Sequence, residues 1–176
     1  TIKDAFEVDY HTGSLVVAKP LDREIQGEYK LEVRSLDITT SNNPQSSAIM
    51  IKIEVADVND NAPIWSEDPI QINIKEDVKV GTTIYNFSAT DADFGRNGEV
   101  HYELLKTIPP VQEDLFVIDT LTGIMHLVRE LDYENCAEYL LVVQAIDQSS
   151  NVSERLATTV TVRLSIIDVN DNAPEF

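Results

Sequence analysis

Apolar and polar residues alternate along much of the chain with a period of two. In 70–75 (IQINIK), Ile70, Ile72 and Ile74 alternate with Gln71, Asn73 and Lys75; in 159–166 (TVTVRLSI), Val160, Val162, Leu164 and Ile166 alternate with polar partners. Successive side chains of a strand point to opposite faces, so this pattern predicts half-buried strands. Segments of the same kind stand at 83–89 (TIYNFSA), 100–105 (VHYELL), 115–119 (LFVID), 124–128 (IMHLV) and 139–146 (YLLVVQAI), with turn sequences such as DTLTG and DFGRNG between them. No window carries a helical stripe. The expectation is an all-β, antiparallel sandwich of about seven strands.

The chain also repeats itself. Phe6, Asp9, Thr12, Gly13, Leu21, Asp22, Glu24, Tyr29, Leu31, Val33 and Asp37 each find an identical residue 110 positions later. After one extra residue in the following loop the offset becomes 111, which carries Asp57 onto Asp168, Asn61 onto Asn172 and Pro63 onto Pro174. A unit of about 110 residues therefore organises the chain. The expected division is 1–62 as the C-terminal part of one repeat with its linker, 63–173 as a complete repeat, and 174–176 as the start of another.

Charge narrows the partners. Asp and Glu number 31 against 13 Lys and Arg, a formal net charge of -18, so nucleic acid and anionic membrane surfaces are poor partners and cations are good ones. The apolar run YLLVV is too short to span a bilayer. A single cysteine, Cys136, excludes an internal disulfide framework. His11, His101 and His126 fall at unrelated places in the repeat, and no Ser-His-Asp constellation or HExxH run accompanies them, so no catalytic site is visible.

The acidic residues instead form pairs. Two carboxylates one residue apart on an extended chain point the same way, as in DRE (Asp22, Glu24) and DAD (Asp91, Asp93), and repel unless a cation lies between them. Oxygen-only donors suit a hard ion that accepts roughly six to eight of them, which favours calcium over zinc, copper or magnesium. The phrase DVNDNAP, at 57–63 and again at 168–174, adds Asp and Asn oxygens at a linker. Its start satisfies positions 1, 3 and 5 of an EF-hand loop, but position 6 is Ala62 instead of Gly, position 12 is Asp68 instead of Glu, and strands flank it.

LDRE and LDYE, DADFGRNGEVHYEL, FEVDYHTGSL and FVIDTLTGIM, and DVNDNAP twice, resemble the extracellular repeats of cadherins, over essentially the whole chain. The resemblance implies a seven-stranded antiparallel Greek-key β-sandwich, with calcium ions at the junctions between repeats and the parent protein a long, many-repeat cadherin of the plasma membrane. Carried over position by position, one junction would be built from Asp22, Glu24, Asp57, the carbonyl of Val58, Asn59, Asp60, the carbonyl of Asn61, Asp91, Asp93, the carbonyl of Asn97 and Asp147. A second set would be Glu76, Asp132, Glu134, Asp168, the carbonyl of Val169, Asn170, Asp171 and Asn172. The chain carries no counterpart of Glu76 for the first junction, and Asp37, which aligns with Asp147, would serve a junction upstream. The function implied is calcium-dependent cell–cell adhesion through another cadherin ectodomain, with a rigid spacer or an accessory module of a secreted enzyme as the alternatives. Trp65 is expected to pack in the core or linker. Asn86-Phe-Ser and Asn151-Val-Ser are acceptor sequons for N-glycosylation.

Overall fold

The computed structural model describes residues 5–36, 46–111 and 114–171. The chain divides into two compact units, Thr1–Asp57 and Val58–Phe176.

The first unit consists of two antiparallel pairs. β1 (Phe6–Val8) pairs with β2 (Leu15–Val17), and β3 (Glu28–Leu36) pairs with β4 (Ser46–Glu54). The turn between β1 and β2 is set by Asp9, whose Oδ1 accepts the amides of His11 and Thr12, both at 2.9 Å, and by Gly13 at φ 72°. Such an Asx turn followed by a left-handed glycine is what the sequence DYHTG favours. Phe6 meets Tyr29 edge-on, ring centroids 5.0 Å apart, and Tyr29 is the buried hydrophobic of this unit among the described residues. Ile49 remains 63% exposed.

The second unit is a sandwich. One layer is four-stranded, in the order β6-β13-β12-β9: β6 (Ile70–Lys75), β9 (His101–Ile108), β12 (Glu138–Ile146) and β13 (Ala157–Ile167). The other is three-stranded, in the order β10-β11-β7: β7 (Thr83–Asn86), β10 (Phe116–Ile118) and β11 (Ile124–Leu127). A two-residue pair, β5 (Ile64–Trp65) with β8 (Ala89–Thr90), extends the edge. Counting β5 with β6 and β7 with β8 as interrupted single strands leaves the seven that the alternation predicts. The first of these breaks falls at Pro69, which has no amide hydrogen for a ladder.

The alternating residues fill the space between the layers. Leu141, Val143 and Ala145 of β12 and Val160, Val162, Leu164 and Ile166 of β13 face Phe87, Phe116, Met125 and Leu127 in one continuous core. Register pairs Leu141 with Val162 and Val143 with Val160, so the two longest strands present their apolar residues to one side together. Each such side chain contributes roughly 1.5–3 kcal/mol on burial. Trp65 packs inside this unit, 5.9 Å from Tyr102 and 6.2 Å from Phe87 between ring centroids.

Two details depart from a purely antiparallel arrangement of regular strands. β6 runs parallel to β13, with Ile72 opposite Leu164. β12 against β9 shifts register between Val142 and Val143. Gly123, at φ 70°, closes the β10–β11 turn; a Cβ there would lie 2.6 Å from the Phe87 carbonyl oxygen, so the close approach of β7 needs glycine.

Candidate metal centre

The two copies of the LD-x-E sequence fold into the same turn. Asp22 Oδ1 accepts the Ile25 amide at 2.9 Å and its carbonyl accepts the Gln26 amide. In the second unit Asp132 does the same for Asn135, at 2.9 Å, and Cys136. Within the first unit, Arg23 Nη1 lies 3.6 Å from Glu24 and 3.4 Å from Asp57, so these two expected ligands already share one positive group.

In the second unit the carboxylates of Glu76, Glu134 and Asp171 converge, with one oxygen from each lying within 4.8 Å of the others. Glu76 is buried, and both its oxygens are held by backbone amides: Oε1 by Val169 at 2.7 Å and Oε2 by Tyr133 at 2.8 Å. Glu76 directly follows β6 and reaches both the Asp132-capped turn, through Tyr133, and the segment after β13, through Val169. A cleft of about 410 Å³, lined by Glu76, Val78, Leu131, Val169 and Asp171 among others, opens beside it. Three carboxylates at this spacing repel one another, and only oxygen donors are presented, which fits calcium. Asp168 and Asn170 are exposed, and Asp132 shapes its turn from outside this group of three; Asn172 lies outside the described residues, as does Asp37.

The linker-side set of the second unit is held by direct hydrogen bonds. Asp147 is fully buried; Oδ1 accepts the Ser149 amide at 2.8 Å, and Oδ2 accepts the Leu156 amide at 2.6 Å and Asn59 Nδ2 at 2.9 Å. Asn59 Nδ2 also donates to the Glu154 carbonyl at 2.7 Å. Both hydrogens of the amide are thus used, and its oxygen, Oδ1, is buried without a hydrogen-bond partner. A buried carbonyl oxygen left over beside carboxylates is a donor atom suited to a hard cation. Asn61 donates from its backbone to Asp93 Oδ2 at 3.1 Å and from Nδ2 to Asp93 Oδ1 at 2.6 Å and Asp60 Oδ1 at 2.9 Å. Asp91 Oδ1 accepts the Asp93 amide at 2.9 Å, so the DAD pair is held as a unit. Asn97 follows in the DFGRNG loop, which turns at Gly95 (φ 65°); a Cβ on Gly98 would sit 2.1 Å from the Asp93 carbonyl oxygen. Only glycine lets that loop fold back on Asp93.

Residue types pointed to the carboxylates and amides, and they missed their supports. The Tyr133 and Val169 amides, the Glu154 carbonyl and Arg155 carry no pattern that marks them in a sequence. Gly98 did carry a signal, as the glycine of an Asn-Gly pair. The sequons are both exposed: Asn86 ends β7, and Asn151 caps the short 3-10 helix Val152–Glu154, with Oδ1 accepting the Ser153 amide at 3.2 Å. Tyr139 is pushed up to about 12 by burial and then by the neighbouring Cys136 side chain, while Tyr85 reaches about 12 through burial and the Glu67 carboxylate that it donates to at 2.7 Å. Neither tyrosine belongs to the two carboxylate groups. Among the described residues no helix is long and apolar enough to cross a membrane.

Comparison with known proteins shows the family. A family model described as "Cadherin domain" matches residues 1–56 and 70–167. The Drosophila melanogaster protein Dachsous is 58% identical over 181 aligned residues, covering 99% of this chain and 5% of that protein, and human Protocadherin Fat 1 is 36% identical, covering 98% and 4%. The chain thus spans a small fraction of these relatives. Among solved structures, mouse cadherin-23 EC22-24 matches with TM-score 0.83 and 30% identity, covering 96% of this chain and 51% of that one. The extracellular cadherin domains 3-6 of protocadherin gamma B2 match with TM-score 0.87 and 29% identity, covering 98% and 41%. These are long, many-repeat cadherins, and the segments they share with this chain are extracellular. The chain belongs to the cadherin family, as a segment of cadherin repeats of the Dachsous, Fat and protocadherin kind.

Proposed function

We propose that this segment binds calcium at two sets of residues and that the bound ions stiffen a cell-surface cadherin, a single-pass plasma-membrane protein, which joins cells by engaging another cadherin ectodomain, the same or different. The observation that carries the reading is the convergence of Glu76, Glu134 and Asp171 within 4.8 Å, with the buried Glu76 fastened by two amides. With calcium, Glu76, Glu134, Asp171, Asp132, Asp168, Asn170, Asn172 and the Val169 carbonyl would supply one oxygen set. Asp22, Glu24, Asp57, Asp60, Asn59, Asp91, Asp93 and Asp147, with the carbonyls of Val58, Asn61 and Asn97, would supply the other. The ion contributes positive charge that cancels carboxylate repulsion. The protein's own part is to hold the oxygens in place through the Tyr133, Val169, Ser149 and Leu156 amides. The repeats are taken to run over 1–62 and 63–173, with 174–176 opening another, and Asn86 and Asn151 are taken to carry N-linked glycans.

Calorimetric titration with calcium tests the reading, with small-angle scattering in millimolar calcium and in chelator. Binding in the range of roughly 10⁻⁴ to 10⁻³ M or tighter is expected, as for extracellular calcium modules. A chain that takes up no calcium at millimolar concentration, or whose scattering is identical in both conditions, overturns it.

A further inference from the structure

The two ends of the Asn59 amide differ: its oxygen is buried without a hydrogen-bond partner. Its nitrogen is committed to the protein: 2.9 Å to Asp147 Oδ2 and 2.7 Å to the Glu154 carbonyl. The loop that presents these acceptors is itself closed. The Asp147 amide donates to the Leu156 carbonyl at 3.1 Å, Gln148 donates to the Arg96 carbonyl at 3.1 Å, and Asn151 caps the 3-10 turn that ends at Glu154. Arg155 Nε donates to the Ser149 carbonyl at 3.1 Å across the loop, which keeps the Glu154 carbonyl turned toward the linker. Further along, Asn61 is fastened to Asp93 and the Pro63 carbonyl accepts the Thr158 hydroxyl at 2.6 Å. From Asn59 to Pro63 the linker is thus tied at three successive odd positions to the body of the second repeat.

From this geometry we infer that the loop 147–156, holding Asn59, forms with Asp93 and Thr158 a latch which docks Asn59–Pro63 onto the second repeat through hydrogen bonds that need no ion, and that Arg155 and the Glu154 carbonyl are positioning groups that orient Asn59 Oδ1 toward the ion. The second clause rests on the calcium reading; the first does not. The latch explains why the residue is an asparagine in so acidic a place. Aspartate would offer a cation one more negative oxygen, but it has no hydrogens for Asp147 and Glu154, and its carboxylate would face the buried Asp147 carboxylate. Bare electrostatics therefore favours Asn59→Asp for calcium binding, and the latch disfavours it.

The test uses the whole chain. Amide exchange in chelator reads the latch without any ion: the Asn61, Ser149 and Leu156 amides should be protected in the wild type, and protection at Asn61 and Leu156 should fall about tenfold or more in Asn59→Asp, the size expected for losing hydrogen bonds to a charged acceptor. Calcium titration reads the orientation: Asn59→Asp should bind the first-set ions more weakly, in spite of its added charge. Arg155→Ala, which touches no ion-facing residue, should weaken both readouts in the same direction, with Arg155→Lys restoring part of each; it also serves if Asn59→Asp does not fold. An unprotected Asn61 amide in wild-type protein in chelator overturns the latch, as does protection unchanged in both variants. Tighter calcium binding by Asn59→Asp overturns the positioning role. Because exchange in chelator needs no ion, it still decides the latch if calcium fails to bind at all.

Discussion

Replacing Glu134 by Gln should stabilise the second repeat without calcium and destabilise it with calcium. Glu134 shares its group with the buried Glu76 and with Asp171, the oxygens within 4.8 Å of one another. At that separation each pair of unit charges repels by about 0.9 kcal/mol in a water-like medium, and by about 3.5 kcal/mol at the effective dielectric of a partly buried site. Two pairs are relieved by the substitution. Exposure of Glu134 and Asp171 places the answer near the lower figure, so about 1–2 kcal/mol is gained in chelator. Glu76 is spared as the site of mutation because glutamine there would present one oxygen to two amides, of Tyr133 and Val169, and leave one unsatisfied. With calcium present the same change removes an anionic ligand and the gain becomes a loss. Thermal unfolding followed through Trp65, the chain's one tryptophan, reports on this unit, since its ring packs against Phe87 and Tyr102. The expected shift is upward by roughly 3–6 °C in chelator, shrinking with added salt, and downward in millimolar calcium. A shift of the same sign in both media, or none in either, would refute the reasoning.

Core truncation gives a second check: Leu141→Ala, at a side chain with no exposure, should cost the second repeat about 3 kcal/mol in denaturant unfolding followed at Trp65, and a loss below 1 kcal/mol would mean the two sheets do not close on it. Amide exchange should be faster across β3 and β4 than across β12 and β13, because the first unit buries Tyr29 where the second buries a continuous two-layer core; equal protection by mass spectrometry in monomeric protein would contradict this. Asp119 is held below the usual carboxylate range by the Thr122 amide and hydroxyl, then by the Leu121 amide, so its contribution is present above the ordinary carboxylate pKa and is lost as pH falls through the lowered value. Asp119→Asn should therefore be less stable than wild type at neutral pH and converge with it in strong acid, measured by urea midpoints across pH. Secreted from mammalian cells, the chain should lose mass on glycosidase treatment in two steps, one abolished by Asn86→Gln and the other by Asn151→Gln; a chain whose mass does not change sets aside the glycan assignment.

The strands were legible because burial on one face imposes a period of two on any half-buried strand, and every alternating segment of the second repeat forms one. Partner choice has no such trace. Nothing in Ile70, Ile72 and Ile74 distinguishes pairing beside β13 from pairing beside a hairpin neighbour, and the parallel β6–β13 ladder emerges only when both ends of the sandwich are assembled. The same division holds for the carboxylates. Glu76 is visible as a residue type, whereas the two amides that fix its oxygens belong to Tyr133 and Val169, and every residue but proline has such a group. Backbone donors are chosen by the fold, so no reading of side chains could name them.

The two copies also diverge within one matching turn. LDRE and LDYE superpose position for position and build the same Asp-capped turn, yet Arg23 supplies a guanidinium beside Glu24 and Asp57 where Tyr133 supplies an uncharged ring and a backbone amide to Glu76. On the calcium reading, an ion arriving at Glu24 and Asp57 would meet a resident positive charge and compete with it, whereas one arriving at Glu76 would meet a buried carboxylate held by two backbone amides. The competition is mild, since a partly exposed ion pair contributes about 0–1 kcal/mol. On that reading Arg23 would moderate rather than block binding, and would moderate the repulsion left when calcium is withdrawn. At Glu76 the matching turn position offers the Tyr133 amide instead of a guanidinium, so on the same reading losing the ion would leave a buried carboxylate carried by its two hydrogen bonds.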